Sequence, residues 1–194
     1  MKQKLFIIFL VGLFAFAPIF GQSVAIKSNL LYDATATINL GFETRIAPRW
    51  SLDISGNYNP WNMPNGAKWK HWMAQPELRY WFCEVLNGHF VAVHLHGGAF
   101  NFGGIKNNVD FLGTDYSRLT DHRFQGYFVG AGIAYGYSWI LSRHWNLEAM
   151  IGFGYSYAMY DVYECADCGK KVEEDKNHHY VGATKAAINL VYAF

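Results

Sequence analysis

What most constrains this chain is an alternation of period two that returns along its whole length. At the C-terminus Ile188, Leu190, Tyr192 and Phe194 share one side, and Ala187, Asn189, Val191 and Ala193 share the other. Successive side chains of a strand point to opposite faces, so this pattern describes strands that are apolar on one face, not helices of period 3.6. Eight segments carry it: roughly Val24–Asp33, Ala36–Ala47, Arg49–Tyr58, Trp72–Phe82, His89–Phe100, Phe124–Ile140, His144–Tyr157 and Tyr180–Phe194. Most approach or exceed the 9–11 residues with which a tilted strand crosses a bilayer.

The connections alternate as well. Ala47-Pro48-Arg49, Cys83 to Gly88 and Leu141 to Arg143 are short, whereas Asn59 to His71, Asn101 to Arg123 and Ala158 to His179 are long. The first connection on the long side, around Ala34-Thr35, is brief. Long loops at one end and tight turns at the other are the habit of outer-membrane barrels. The expected fold is therefore all-β: an eight-stranded antiparallel up-and-down transmembrane β-barrel.

Parity assigns the faces. In the third segment Trp50, Leu52, Ile54 and Tyr58 oppose Ser51, Asp53, Ser55 and Asn57. In the sixth, Tyr127, Val129, Ile133, Tyr135 and Trp139 oppose Gly126, Gly130, Gly132 and Gly136. The apolar stripes would face lipid. The other parity sends Lys27, Arg45, Arg79 and Lys185 inward, with Glu43, Asp53, Glu77 and Glu148. Buried charges demand partners, and eight strands enclose little more than their own side chains. The expectation is a polar lumen plugged by an ion-pair network. In the fifth segment Val91, Val93 and Leu95 would face out and His94, His96 and Gly98 in, with Gly97-Gly98 marking a bulge.

The first residues read as a signal peptide over 1–21. Lys2 and Lys4 precede an apolar stretch, Leu5 to Phe16, that is shorter than the roughly 20 residues of a spanning helix. Residues 22–194 then form one barrel domain in the outer membrane. Charge is nearly balanced, sixteen basic residues against fifteen acidic, which gives no argument for nucleic acid. Aromatics make up 18%, and Tyr and Trp favour a water–hydrocarbon boundary.

Three groups of residues are candidate sites. Cys165 and Cys168, with His178 and His179 beyond them, offer four ligands for zinc, while an oxidising compartment favours a Cys165–Cys168 disulfide instead. Cys83 sits at the opposite end and is expected to be unpaired. Trp61, Trp69 and Trp72 lie among turn residues, as a loop binding patch or as girdle aromatics. His71, His122 and Ser156 are the residues that an outer-leaflet enzyme would draw on; no nucleophile elbow or phosphate loop is present. No catalytic residue and no cofactor beyond that zinc is expected.

Four stretches resemble one family. They are Val24 to Ala36 (VAIKSNLLYDATA), Ser55 to Trp61 (SGNYNPW), Trp69 to Trp72 with Gln75 to Trp81 (WKHW and QPELRYW), and Thr184 to Ala187. The chain is identified by them as similar to an uncharacterised family of Bacteroidetes, a domain of unknown function (number 3575). The resemblance implies an outer-membrane-type barrel, often encoded near fimbrial components, and carries no catalytic residue. The function expected is a non-enzymatic barrel in contact with outer-membrane lipid, with loops for an envelope or fimbrial partner. The alternatives are a lipid-modifying enzyme of the outer leaflet and a soluble lipocalin-like carrier with the opposite parity.

Overall fold

A computed structural model describes residues 24–63, 66–105, 110–111, 114–115, 119–165, 167 and 169–194. The segment read as a signal peptide lies outside them. Strand β1 is Val24–Asn29, followed by a one-turn helix α1, Leu30–Asp33. Then come β2 (Ile38–Ala47), β3 (Trp50–Asn59), β4 (Lys68–Trp81) and β5 (Gly88–Gly103). A two-stranded ribbon, β6 (Asp110–Phe111) and β7 (Thr114–Asp115), precedes β8 (Arg123–Ile140), β9 (Trp145–Tyr163) and β10 (Lys171–Ala193).

Eight strands close into a ring in the order β1-β10-β9-β8-β5-β4-β3-β2, each antiparallel to both neighbours. Closure leaves no free sheet edge around the base. Both ends of the described chain meet there, where the Phe194 amide donates to the Val24 carbonyl at 3.0 Å.

The faces follow the predicted parity. Leu40, Val93, Leu95, Ile133 and Phe153 are more than half exposed on the outer wall, and Asp53 and Glu148 are buried inside. The glycines of β8 and β9 take their meaning from what lies over them. A Cβ on Gly132 would stand 2.8 Å from the His94 ring, one on Gly130 would collide with the His96 ring, and one on Gly136 with Phe90. The inward glycines are the space into which these larger side chains fold.

Three expectations are corrected. The end of the first segment is not strand: Asn29, the last residue of β1, caps α1, its side chain accepting from the Leu31 amide at 3.1 Å. Gly97-Gly98 is not a bulge, because β5 keeps its register with β4 and β8 throughout. Gly98 is there because a Cβ would collide with the Trp72 carbonyl oxygen. Ala158 to His179 is not a loop but the upper part of the β9–β10 hairpin, paired from His179↔Tyr157 up to Lys171↔Tyr163 with register shifts near the tip. Its charged residues match across the strands: Lys171 Nζ lies 2.8 Å from Asp161 Oδ2.

Candidate functional site

The base of the ring is filled. Trp81 and Phe90, both fully buried, pack with ring centroids 4.5 Å apart, among Ala25, Met150 and Val191. Leu86 enters from the β4–β5 turn, and its carbonyl accepts from Asn146 Nδ2 at 2.7 Å and Ser138 Oγ at 3.1 Å.

Above this apolar floor lies a layer of charge. Arg79 reaches Glu148 at 2.8 Å, Glu43 at 3.0 Å and Asp53 at 3.9 Å, and it also pairs with Glu77. Its guanidinium sits 4.7 Å from the Phe90 ring centroid. Lys27 meets Glu148 at 3.1 Å, Asp53 at 3.2 Å, and Glu43. Lys185 meets Glu77 at 2.8 Å. Asn189 donates to Glu148 at 2.7 Å, and Ser51, itself held by Trp81 Nε1 at 2.8 Å, donates to Glu43. Neighbouring strands supply these groups through register pairs such as Glu43↔Asp53 and Asp53↔Glu77.

All the predicted network residues meet here except Arg45. Its side chain turns to the nearby tight turn and donates to the carbonyls of Ala47 and Pro48, both at 3.3 Å. It stands near the mouth of the base, where a guanidinium reaches carbonyls and water more readily than the central carboxylates. The network that remains holds Lys27, Arg79 and Lys185 against Glu43, Asp53, Glu77 and Glu148, one formal negative charge in excess.

The plug fills only the lower half. The other half of the lumen is a cavity of about 860 Å³. Its floor is polar, with Asp53, Ser55, Gln75 and Asn189; its upper wall carries Trp69, Phe100, Phe102, Phe124, Phe128 and Tyr160. The aromatics pack on one another: Trp69 stacks on Phe102 at 4.8 Å, and Phe100 on Phe102 at 5.4 Å. Sequence reasoning missed this cavity. The signal was the inward parity of β4, β5 and β8, which turns aromatic towards the long-loop end at Trp69, Phe100, Phe102, Phe124 and Phe128.

The predicted tryptophan patch separates. Trp69 faces the cavity. Trp72 is exposed on the outer wall opposite Tyr58, and Trp61 is exposed at the rim with its Nε1 donating to the Ala36 carbonyl at 2.8 Å. The proposed zinc ligands separate too. Neighbours on one strand, His178 lines the cavity while His179 is exposed outside and bonds the Tyr155 hydroxyl at 2.5 Å. Cys165 lies beyond both at the hairpin tip, where it is disulfide-bonded; Cys168 lies outside the described residues. Among the described residues no group of three His, Cys, Asp or Glu is placed to hold a metal. Cys83 is free and exposed.

One pair has the look of chemistry. His96 Nε2 lies 2.5 Å from Ser156 Oγ, and Ser156 lines the cavity. A hydrolytic pair needs its base oriented by a third group. His96 Nδ1 is buried without a hydrogen-bond partner, so the geometry is that of a buried imidazole satisfied on one side by a half-buried hydroxyl. His94 does the same with Thr184 at 3.0 Å. His71 lines the cavity but lies on another wall, pairing in register with Asn59 and Phe100.

The sequence model of a family described as protein of unknown function (DUF3575) matches residues 5–194, and the chain belongs to that family. No curated protein and no solved structure matches it.

Proposed function

We propose that this member of the family is a non-enzymatic outer-membrane barrel. It is closed at its periplasmic end and presents a cup and a tall hairpin to the outside, for contact with an envelope or fimbrial component. The observation that carries this reading is the opposed chemistry of the two wall faces. Val93, Leu95, Ile133 and Phe153 project outward, while three cations and four carboxylates lie inside. In water the outer wall would be an unusually large apolar patch. In a bilayer it is the ordinary lipid-facing belt, and closure gives each strand a partner on both sides. Aromatics at both ends of the outer wall, Trp50, Trp139 and Trp145 near the base and Tyr58 and Trp72 towards the far rim, match two interfacial girdles.

The same faces argue against a lipocalin-like carrier, whose outer wall is polar. The missing orienting group at His96 argues against a lipid-modifying enzyme. A rigid wall that lifts the β9–β10 hairpin well beyond β1 and β2 suits display, because recognition residues cluster where loops stand on a rigid scaffold.

The test has two parts. Carbonate and urea washing of cell envelopes should leave the protein in the outer-membrane fraction, with heat-modifiable mobility in detergent gels. Recovery in the soluble periplasm would refute the membrane reading. Replacing residues 164–170 by a two-residue Asn-Gly turn should preserve insertion and abolish co-purification with fimbrial subunits from intact envelopes. Unchanged co-purification would remove the hairpin tip from the binding role.

A further inference from the structure

The cavity above the charge layer has features of a built ligand site. Its volume of about 860 Å³ lies within the roughly 300–1,000 Å³ of small-molecule sites, which combine apolar walls with a few polar groups. The polar groups define what end of a ligand would fit the floor. Lys27 and Lys185 line it, but both are taken, by Asp53 and Glu148 and by Glu77 respectively. With one carboxylate already in excess, the floor has no cation to spare for a phosphate or a carboxylate.

Two neighbouring polar side chains of the floor keep hydrogen-bonding capacity. Gln75, 3% exposed, has a side-chain Nε2 with no hydrogen-bond partner; Asp53, 2% exposed, has an Oδ2 that Lys27 Nζ approaches at 3.2 Å as an ion pair but that accepts no hydrogen bond. Both residues line the cavity, and the register pairs Asp53↔Glu77 and Ser55↔Gln75 set them side by side on β3 and β4. A free donor beside a carboxylate oxygen with a lone pair to spare is the complement of a group that both accepts and donates, a hydroxyl. Leaving a buried donor unpaired is costly, so a ligand hydroxyl there would relieve the deficit at Gln75 while donating to Asp53. Over it, Met73 and the aromatic collar offer only apolar surface.

The wall also has a side opening. Strand β1 pairs with β10 only from Ala25↔Ala193 to Asn29↔Asn189. Above Asn189, among the described residues, β10 has no strand on that edge, while on its other edge it continues against β9. Helix α1 stands in the gap. Leu31, Ala186 and Ala187 line both the interior cavity and a shallow apolar groove of about 390 Å³ on the outer wall. The register Ala186↔Ile151 and Ala183↔Phe153 puts this seam beside the outward apolar row of β9.

We propose that the cavity binds a single-chain amphiphile with an uncharged, hydroxylated head, such as a monoacylglycerol. The head sits on Gln75 and Asp53 and the chain lies in the collar around Trp69. The ligand enters from the outer leaflet through the seam between α1 and β10. The source of the ligand rests on the membrane reading above; the chemistry of the site does not.

The test uses the full mature protein in phosphatidylcholine nanodiscs, after heat-modifiable mobility has confirmed insertion, so that a failure to bind is separable from a failure to enter the membrane. A monoacylglycerol brominated on its chain should quench the Trp69 emission, defined as the part lost in Trp69→Phe, saturably and at low mole fraction. Brominated phosphatidylcholine should quench only the outward tryptophans. Gln75→Leu should weaken the apparent affinity about tenfold, and Met73→Trp, which fills the cavity from a half-buried position, should abolish saturation. Equal quenching of Trp69 by both lipids, or affinity unmoved by both variants, would overturn the site. Ala186→Trp, which narrows the seam, should slow uptake from the bilayer but not of a short-chain, water-soluble monoacylglycerol. Equal slowing or none would overturn the route.

Discussion

Removing Arg79 tests the plug where it is most concentrated. The side chain touches Glu148 at 2.8 Å, Glu43 at 3.0 Å, Asp53 at 3.9 Å and Glu77, and is itself buried. A single pair of unit charges about 4 Å apart attracts by about 4 kcal/mol at an effective dielectric near 20. The carboxylates stay desolvated whether or not Arg79 is there. Arg79→Met would set four carboxylates against two lysines, and leaving buried charge uncompensated costs about 3–5 kcal/mol. Adding Glu148→Gln restores the wild-type excess of one, so the double variant should recover more than about 1 kcal/mol of that loss through the coupling of adjacent sites. Arg45→Met is the control, because Arg45 bonds only turn carbonyls at 3.3 Å; it should stay within about 1 kcal/mol, the worth of an ordinary hydrogen bond. The assay is reversible urea unfolding in lipid vesicles, followed by tryptophan emission. An Arg79→Met barrel within about 0.5 kcal/mol of wild type, the range of an ordinary surface substitution, would refute the reasoning.

Gly130→Ala should destabilise by about 1–3 kcal/mol through overpacking, since its Cβ would collide with His96 and the Tyr155 carbonyl. Gly56→Ala, with nothing within 4 Å of the new Cβ, should be neutral or slightly stabilising in the same unfolding assay. At the hairpin tip Lys68 Nζ lies 2.8 Å from Asp167 Oδ1, and this hydrogen bond holds the Asp167 carboxyl below its ordinary range. A depressed carboxyl contributes its contact fully above the ordinary carboxylate pKa of about 3.9 and loses it only as pH falls through the lower folded value. Amide exchange at the tip should therefore stay slow as pH is brought down through the usual carboxylate range and rise below it. An increase already complete above that range would contradict the pairing.

The ring was legible because parity is a local property. Asp53 and Glu148 read inward, and Ile54 and Ile151 outward, from their neighbours alone. Most of the charge layer followed, since a closed ring of eight strands leaves those side chains only each other. Arg45 did not follow, because parity gives direction but not depth: near the base an inward guanidinium reaches the turn carbonyls first. Leu30–Asp33 continued the apolar rhythm of β1, and only the cap at Asn29 turns it into a helix. The upper β9–β10 hairpin hid behind its charges, which cross-strand pairs such as Asp161–Lys171 satisfy without any apolar face. The cavity depends on how far eight strands stand apart once glycines admit His94 and His96 on one side, a distance that no single segment encodes.

The central claim is that the outer wall lies in hydrocarbon while the opposite face does not. It is tested most directly by nitroxide labelling of single non-glycine positions of β9 from Ile151 to Ala158 in lipid vesicles, in a background with Cys83, Cys165 and Cys168 replaced by serine. The account predicts that labels at Ile151, Phe153 and Tyr155 collide with dissolved oxygen and are shielded from a water-soluble nickel chelate, whereas labels at Ser156 and Ala158, which line the cavity, are shielded from oxygen. Chelate access at Ile151 and Phe153 equal to that of a water-exposed label at Lys170 would contradict it.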